Sequence, residues 1–198
     1  MKKIKVILFS FLFLTYSYAS EYSSNPEDFI RELVNDAISK ISNKDLNDEE
    51  KSKFIEEIAL KNVDIKALSL YTLGELRKST DKDTLNRYQI SFEKYFLKSL
   101  TSRLTDYSSN KFEIIGYDKK SSNYTIVKSR IPKNNNQPEI KIDWRIYTKN
   151  PEKPLIRDLI VEGLSLARTQ KEEFSSILNS NNNDINILIA KLDEFNKD

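Results

Sequence analysis

The spacing of apolar residues changes twice along this chain, and the two changes limit the folds that it can adopt. From about residue 25 to about residue 104, apolar side chains recur every three or four positions, as on one face of a helix. Between Lys111 and Glu162 they recur every second position, as in strands with one covered face. After Leu166 the helical spacing returns. The pattern predicts an α+β fold in which helices before and after an antiparallel meander cover the sheet.

Four helical segments are predicted before the strands. The first begins at the cap residue Asn25, which is followed by a proline and two acidic residues. The second begins near Asp48, and the third is interrupted at Gly74. A long fourth helix runs from near Asp81 to about Leu104.

Alternating stretches predict about four strands, namely KFEIIGY, YTIVKSRI, EIKIDWRIY and LIRDLIVE. The turn-prone stretches KKSSN and PKNNNQP separate the first three of them. In EIKIDWRIY, one face is apolar and the other is polar. We therefore expect a covered face with Ile140, Ile142, Trp144 and Ile146 and a solvated face with Lys141, Asp143, Arg145 and Tyr147.

The stretch VEGLSL joins the last strand to a helix. Gly163 permits positive φ or a close approach of two chain segments, so we expect the strand to pass directly into the helix, with Ser165 as its cap. Asp158 and Glu162 lie on one face of the strand about 13 Å apart, farther than the two acids of a glycosidase. A hydrogen-bonding role is favoured for both, and an acid/base pair is the alternative.

The first residues, MKKIKVILFSFLFLTYSYAS, have the features of a secretory signal peptide. Three lysines precede an apolar run from Val6 to Leu14, and Ser17 and Ala19 give a small-x-small cleavage site. We predict a cleaved segment at residues 1–19 and one exported domain at residues 20–198. A membrane anchor is the alternative, but the apolar run is shorter than the roughly 20 residues that a span needs.

Several classes of function are excluded by residues that the sequence lacks. Without histidine or cysteine there can be no Ser-His-Asp triad, no cysteine nucleophile, no ordinary zinc site and no disulfide. Three glycines do not suffice for a P-loop or a dinucleotide fingerprint. Removal of the three signal lysines leaves 29 basic against 30 acidic residues, so no basic surface for nucleic acid is expected.

Blocks across nearly the whole mature chain resemble the MlaC family, also called the toluene-tolerance family. These blocks are NPEDFIRELVNDAI, VDIKALSLYTLGELRKST, FEKYFLKSLTSRLTDY and IDWRIYTKNPEKPLIRDLIVEGLSLARTQKEEFSSIL. The most specific part is Asp158 followed by Glu162-Gly163-Leu164-Ser165, between a strand and a helix. Two departures occur, because Leu155 replaces a common tryptophan and asparagines at 181–183 replace a usual glycine.

The resemblance implies a curved sheet and helices that enclose an apolar pocket for phospholipid tails, with the head group at its mouth. It implies a non-enzymatic periplasmic carrier that shuttles phospholipid between outer and inner membranes and maintains outer-membrane lipid asymmetry. Phospholipid is then the cargo, with no cofactor and no metal. The implied partners are an inner-membrane ABC transporter complex with an MCE-domain ring and an outer-membrane lipoprotein-porin complex. A monomer suits such a shuttle.

Apolar residues on the expected covered surfaces are the candidates for contact with lipid tails. Ordinary core packing is the alternative for each of them, since helical or alternating spacing alone does not distinguish the two roles. The candidates are Leu70, Leu73, Phe92, Phe96, Leu100, Ile126, Ile142, Trp144, Ile146, Leu164 and Leu166.

Two other functions remain open at this point. A non-catalytic interaction protein could use the same sheet with a filled core, and it would purify without lipid. A carboxylate-based hydrolase of envelope material would need two acids converging in a cleft, and no pair in the sequence suggests one.

Overall fold

The computed structural model describes residues 22–104, 111–134 and 138–197. Within these ranges six α-helices, one 3₁₀ helix and five strands are present. The helices are α1 (Pro26–Ile41), α2 (Asp48–Asn62), α3 (Ile65–Thr72), the 3₁₀ helix (Gly74–Lys78), α4 (Lys82–Leu104), α5 (Leu166–Asn179) and α6 (Ile185–Lys197). The strands are β1 (Glu113–Ser121), β2 (Tyr124–Ile131), β3 (Ile140–Tyr147), β4 (Leu155–Val161) and β5 (Leu164–Ser165). The predicted signal segment, residues 1–19, lies outside the described residues.

The first two helices begin where asparagine side chains cap free backbone amides. The Asn25 side chain accepts hydrogen bonds from the amides of Glu27, at 2.9 Å, and Asp28, at 3.3 Å. This confirms the predicted start of α1. Asn47 and Glu50 form a reciprocal capping box at the start of α2.

The five strands form one open, curved sheet in the order β1-β2-β3-β4-β5, and every neighbouring pair is antiparallel. The predicted α+β class and antiparallel meander are thus confirmed. The fifth strand, which the sequence pattern did not predict, has only two residues. The register of β1 shifts between Ile114 and Gly116. A second shift lies in β4, where Arg157 is an extra residue opposite Arg145 and Ile146 of β3. Such bulges bend a strand and increase its local twist.

The two faces of the sheet differ in chemistry. We call the face with Val127, Trp144 and Ile146 the inner face, because its side chains join an apolar cluster with α1. Ile126 and Arg145 are paired on the opposite, outer face. The predicted alternation along β3 is confirmed by this register, since residues paired directly across an antiparallel ladder share a face.

The expectation that the second face is solvated is wrong except at Lys141, because Asp143, Arg145 and Tyr147 are half-buried. Arg145 bonds to Asp158, and the Arg157 guanidinium covers the Tyr147 ring.

The connection from β4 to α5 differs from the expected direct passage. Glu162 and Gly163 both have positive φ, 50° and 82°, as in a type I′ turn. The chain therefore folds back into β5, which places Leu164 opposite Val161 before α5 begins at Leu166. The expectation of positive φ at Gly163 is confirmed, and the expectation of a direct strand-to-helix passage is wrong. A turn with two left-handed residues matches the twist of an antiparallel pair, so it closes a hairpin.

Candidate functional site

The apolar interior of the described residues is divided into two clusters. The helical cluster consists of buried residues of α3, α4, α5 and α6, together with Leu73 directly after α3. Its members are Ile65, Leu73, Tyr88, Phe92, Phe174, Leu178, Ile185, Leu188, Ile189 and Leu192. The sheet cluster joins α1, α2 and the inner face through Tyr22, Phe29, Ile30, Leu33, Val34, Ile58, Val127, Ile146 and Ile156. Half-buried Val63, between α2 and α3, packs against both clusters.

Three predicted residues of α4 lie on one line along the helix, with a spacing of four. Phe92 is buried in the helical cluster, where its ring contacts Phe174 edge-on at 6.1 Å between centroids. Phe96 stacks on Phe92 at 6.3 Å and packs against the edge of that cluster. Leu100, one turn farther, is half-buried and belongs to neither cluster of the described residues. The line therefore leads out of the helical cluster toward the end of α4.

Trp144 presents its indole ring to the inner face while its polar atom is satisfied. Its Nε1 donates to Ser129 Oγ at 2.8 Å, and Ser129 Oγ donates to the Ile142 carbonyl at 2.9 Å. The Phe112 ring meets the indole edge-on at 6.1 Å between centroids. Because the indole N–H already has a partner, the remaining surface of the half-buried ring is suited to apolar contact.

The structure brings some candidate lipid-contact residues together in each cluster. Leu73, Phe92 and Phe96 belong to or pack against the helical cluster. Ile146 belongs to the sheet cluster, and Trp144 packs against it.

The remaining candidates lie outside the two clusters. Ile142 is half-buried on the inner face, and Leu70 is half-buried on α3. Ile126 is half-buried on the outer face beside Arg145, so it does not share a surface with Trp144. Leu164 and Leu166 are exposed, at 68% and 40% of their surface. The eleven candidates therefore do not form one continuous surface.

Three inner-face residues of β4 are absent from the candidates, and one of them, Ile156, pairs with Ile146 and is buried in the sheet cluster. Leu159 pairs with Trp144, and Val161 pairs with Ile142, so both belong to the surface that the β3 residues define. The stretch LIRDLIV ends in three apolar residues in a row, so its end is apolar on both faces of the sheet. The extra residue Arg157 also shifts which positions before and after it share a face. Period-two spacing was the available signal, but it did not identify which face each residue occupies.

Asp158 connects the sheet to the start of α5. Its buried carboxylate accepts from Ser165 Oγ at 2.6 Å, the Ala167 amide at 3.0 Å and Arg145 Nη1 at 3.1 Å. Ser165 Oγ accepts from the Arg168 amide at 3.1 Å, which confirms the predicted helix cap. The carboxylate is thus fully used by hydrogen bonds that hold α5 on β4.

Glu162 is also used by backbone groups. Its carboxylate accepts from the Lys141 amide, and its own amide donates to the Lys141 carbonyl at 3.0 Å. The hydrogen-bonding role predicted for Asp158 and Glu162 is therefore confirmed. The Asp158 carboxylate binds the start of α5 and Arg145, whereas the Glu162 carboxylate binds the backbone of Lys141. The two acids therefore do not converge on one reacting atom.

A second aspartate makes a similar connection at the start of α3. Asp64 caps this helix through the Ala67 amide, at 3.1 Å, and forms an ion pair with Arg157 at 2.8 Å. The Arg157 guanidinium also lies 3.4 Å from the centroid of the Tyr147 ring. Asp64 and Asp158 therefore link two helices of the helical cluster to neighbouring residues of β4.

Other polar features show no reactive constellation. Burial raises the pKa of Tyr88, whose hydroxyl lies 2.8 Å from Thr72 Oγ1, and burial also raises the pKa of Tyr124. A surface groove of about 630 Å³ lies between Tyr71 and one face of α5, and polar side chains make up most of its lining. Over the described ranges, no group of three or more acidic residues is placed to hold a metal ion.

Comparisons with known proteins agree with this architecture. Residues 31–194 match the MlaC protein family. The solved phospholipid-binding protein from Ralstonia solanacearum, in complex with a phospholipid, is similar in fold with a TM-score of 0.66 and 19% sequence identity. The alignment covers 85% of this chain and 94% of that chain. A search of curated proteins gives no match. In the part of the chain that the structure describes, no helix is both long and apolar enough to cross a membrane.

The family match covers most of the chain, and it includes all five strands, α2 to α5, and most of α1 and α6. The phospholipid-binding protein shares the fold of this chain. This chain belongs to the MlaC family.

Proposed function

We propose that this protein is a periplasmic phospholipid carrier that holds acyl tails between the helical cluster and the sheet cluster. Residues 20–198 form its lipid-binding domain after cleavage behind Ala19. It shuttles phospholipid between the outer and inner membranes and so maintains outer-membrane asymmetry. Its partners are an inner-membrane ABC transporter complex with an MCE-domain ring and an outer-membrane lipoprotein-porin complex. It acts as a monomer without a cofactor.

The division of the apolar interior is the observation that carries this proposal. A filled domain of this size is expected to bury one contiguous core, whereas Val63 is the side chain that packs against both clusters among the described residues. Leu100 on α4 and Ile142 on β3 are half-buried and belong to neither cluster. A hydrocarbon chain between the clusters would cover such side chains and join the two cores.

The known protein of similar fold supports the choice of ligand. That protein was solved with a phospholipid, and its fold extends over most of this chain. Membership of the MlaC family supports the same class of cargo.

Elementary energetics explain why such a carrier needs an apolar interior. Exposing two tails of roughly 30 methylenes to water would cost more than about 20 kcal/mol, at about 0.8 kcal/mol for each CH₂. A surface that matches hydrocarbon removes most of this cost. It must not bind the tails much more strongly than a bilayer does, because the carrier has to release them.

The carboxylates give no support to an enzymatic alternative. Asp158 is occupied by a helix terminus and Arg145, and Glu162 is occupied by the backbone of Lys141. A general acid or base needs a carboxyl group that can reach a substrate proton. We therefore propose binding and transfer, without covalent chemistry, as the whole activity.

The direct test is the composition of the purified protein. The full-length chain is expressed in a Gram-negative host, purified from the periplasmic fraction and extracted with organic solvent. Mass spectrometry of the extract should detect phospholipid in a fixed ratio to protein. A protein that is purified without lipid, and that takes up none from vesicles, would instead be an interaction protein with a filled core.

A matched pair of variants tests the location of the tails. Ile142→Gln places an amide on the inner face, and Lys141→Gln places the same side chain at an exposed position of the outer face one residue away. We expect Ile142→Gln to lose most of its bound phospholipid and Lys141→Gln to retain it. Circular dichroism and urea unfolding establish that both variants are folded. Equal lipid content in the two folded variants would contradict this location.

A further inference from the structure

One row of directly paired residues crosses the inner face from β2 to the edge of the sheet. Ser129 pairs with Ile142, Ile142 with Val161, and Val161 with Leu164. Side chains paired in this way lie on one face of the sheet. Ser129 is buried, Ile142 and Val161 are half-buried, and Leu164 is 68% exposed. From Ile142 onward the row is therefore an apolar track, which begins next to Ser129 and Trp144 and reaches the surface at Leu164.

The exposed end of this track is held in a defined conformation. Positive φ at Glu162 and Gly163 closes the β4–β5 hairpin, and Leu164 is paired with Val161. The next residue, Ser165, turns toward Asp158 with an Oγ-to-Oδ2 distance of 2.6 Å. Leu164 therefore points away from this buried network, and Leu166 adds a second exposed leucine at the start of α5. The hairpin therefore holds two leucine side chains at the surface in a defined position.

The opposite end of the inner face provides a comparison. Tyr117 of β1 is 60% exposed and pairs with Val127, which pairs with Trp144. Val127 is fully buried in the sheet cluster with α1, so a tail could not pass along this row without displacing packed side chains. The row through Val161 contains no fully buried apolar residue between Ile142 and the surface.

We propose that the β4–β5 hairpin is the portal through which acyl tails enter and leave, and that its tip contacts the hydrocarbon of a phospholipid bilayer. This inference rests on the proposed carrier function and assigns the entry point of the same site. A tail that slides past Val161 and Leu164 stays against apolar atoms, so fewer methylenes meet water at any moment. Contact between the leucine tip and the bilayer extends this apolar surface to the membrane.

The chain contains no cysteine, so one introduced cysteine can be labelled at a defined position. Leu164→Cys and Tyr117→Cys place a bimane fluorophore at the two exposed ends of the inner face. The probe membranes are phosphatidylcholine and phosphatidylglycerol vesicles whose acyl chains carry nitroxide quenchers. We expect vesicles to quench the label at position 164 several-fold more strongly than the label at position 117, because only the former meets hydrocarbon.

Transfer kinetics provide the second measurement. Fluorescent phospholipid is transferred between donor and acceptor vesicles by wild-type protein, Leu164→Gln and Tyr117→Gln, and each rate is normalised to the lipid that the protein holds. Leu164→Gln should slow transfer roughly tenfold, as expected when about 1.4 kcal/mol of apolar contact is lost at the barrier. Tyr117→Gln should transfer at the wild-type rate.

The outcomes separate the portal from the carrier function. If wild-type protein holds phospholipid but the two labels are quenched equally and both glutamine variants transfer normally, the portal is overturned and the carrier function stands. If wild-type protein neither holds nor transfers phospholipid, both are overturned. Selective quenching and slowing at Leu164 support the portal.

Discussion

Ser165 Oγ lies 2.6 Å from Asp158 Oδ2, so the residue that caps α5 is itself held by a buried carboxylate of β4. Asp64 makes the corresponding connection from the start of α3 to Arg157 of β4. The helical cluster and the sheet cluster are thus linked by polar groups at one strand. Hydrogen bonds depend on geometry far more strongly than apolar contacts do, and these two connections fix how the clusters face each other.

Removal of the Asp158 carboxylate should weaken this connection. Asp158→Ala leaves Ser165 Oγ, the Ala167 amide and Arg145 without their acceptor. Charged hydrogen bonds contribute more than neutral ones, so the free energy of unfolding should fall by about 3 kcal/mol. Urea unfolding followed by circular dichroism measures the loss.

Asp118→Ala is the control for this variant. Asp118 forms an ion pair with Lys120, and both side chains are more than a third exposed. An ion pair that is exposed to water adds little to stability, so this variant should unfold close to wild type. An equal loss of unfolding free energy in the two variants would show that the buried hydrogen bonds of Asp158 stabilise the fold no more than an exposed ion pair does.

Buried Tyr88 should make stability depend on pH in alkaline solution. Burial raises its pKa above the ordinary value of 10.0, and the Thr72 hydroxyl next to it only partly offsets this shift. The folded protein therefore retains a proton that the unfolded chain releases above about pH 10. The contribution of Tyr88 is fully present below this pH and is lost as pH rises toward the folded-state pKa, by up to about 1.4 kcal/mol per pH unit.

Tyr88→Phe tests this dependence because it removes the ionisable hydroxyl and keeps the ring. Urea unfolding at several pH values from 9 to 11 should give a steeper loss of stability for wild type than for Tyr88→Phe. Tyr117→Phe, which removes an exposed hydroxyl, should retain the wild-type slope. Identical slopes for wild type and Tyr88→Phe would reject the assignment.

Substitutions at Gly163 should rank by their tolerance of positive φ. This residue has φ of 82°, and a Cβ there would meet no atom within 4 Å, so backbone conformation rather than crowding determines the cost. Gly163→Ala should lower the free energy of unfolding by about 1–2 kcal/mol. Gly163→Asn should cost less, because asparagine adopts the left-handed region more readily. A higher thermal unfolding temperature for Gly163→Ala than for Gly163→Asn would contradict this reasoning.

Local patterns predicted the elements of this fold well because each depends on nearby residues. Asn25 caps α1, Gly74 interrupts the third helix, and alternation along β3 separates the two faces. The α5–α6 turn lacks glycine, yet Asn182 and Asn183 adopt positive φ of 54° and 58°. Asparagine tolerates that conformation, so the departure noted in the sequence changes the residue and preserves the turn.

The candidate site was less predictable because it depends on register and tertiary contacts. Ile126 looks as apolar as Ile142 in the sequence, but pairing with Arg145 puts it on the outer face. Strand β5 is two residues long, too short for any periodicity to show. Val161 joins the inner-face row only through its pairing partners Ile142 and Leu164.

The single tryptophan of the chain should report directly on lipid tails. Trp144 lies on the inner face with its indole N–H bound to Ser129, so changes in its emission reflect what contacts the ring. Loading with a phospholipid that carries brominated acyl chains should quench Trp144 fluorescence strongly, since bromine acts at near contact. The same phospholipid without bromine should instead shift the emission to shorter wavelength, because hydrocarbon replaces water beside the half-buried ring.

Two further samples decide whether this signal comes from the inner face. Trp144→Phe removes the only indole and should abolish both responses, which excludes a contribution from the tyrosines. Ile142→Gln retains the indole, but we expect it to hold little lipid, so brominated phospholipid should quench it weakly. If brominated tails bind in the wild-type ratio and leave Trp144 emission unchanged, the tails do not lie against the inner face. In that case the space next to β3 would have to be filled by protein, and the cargo would be held on another surface.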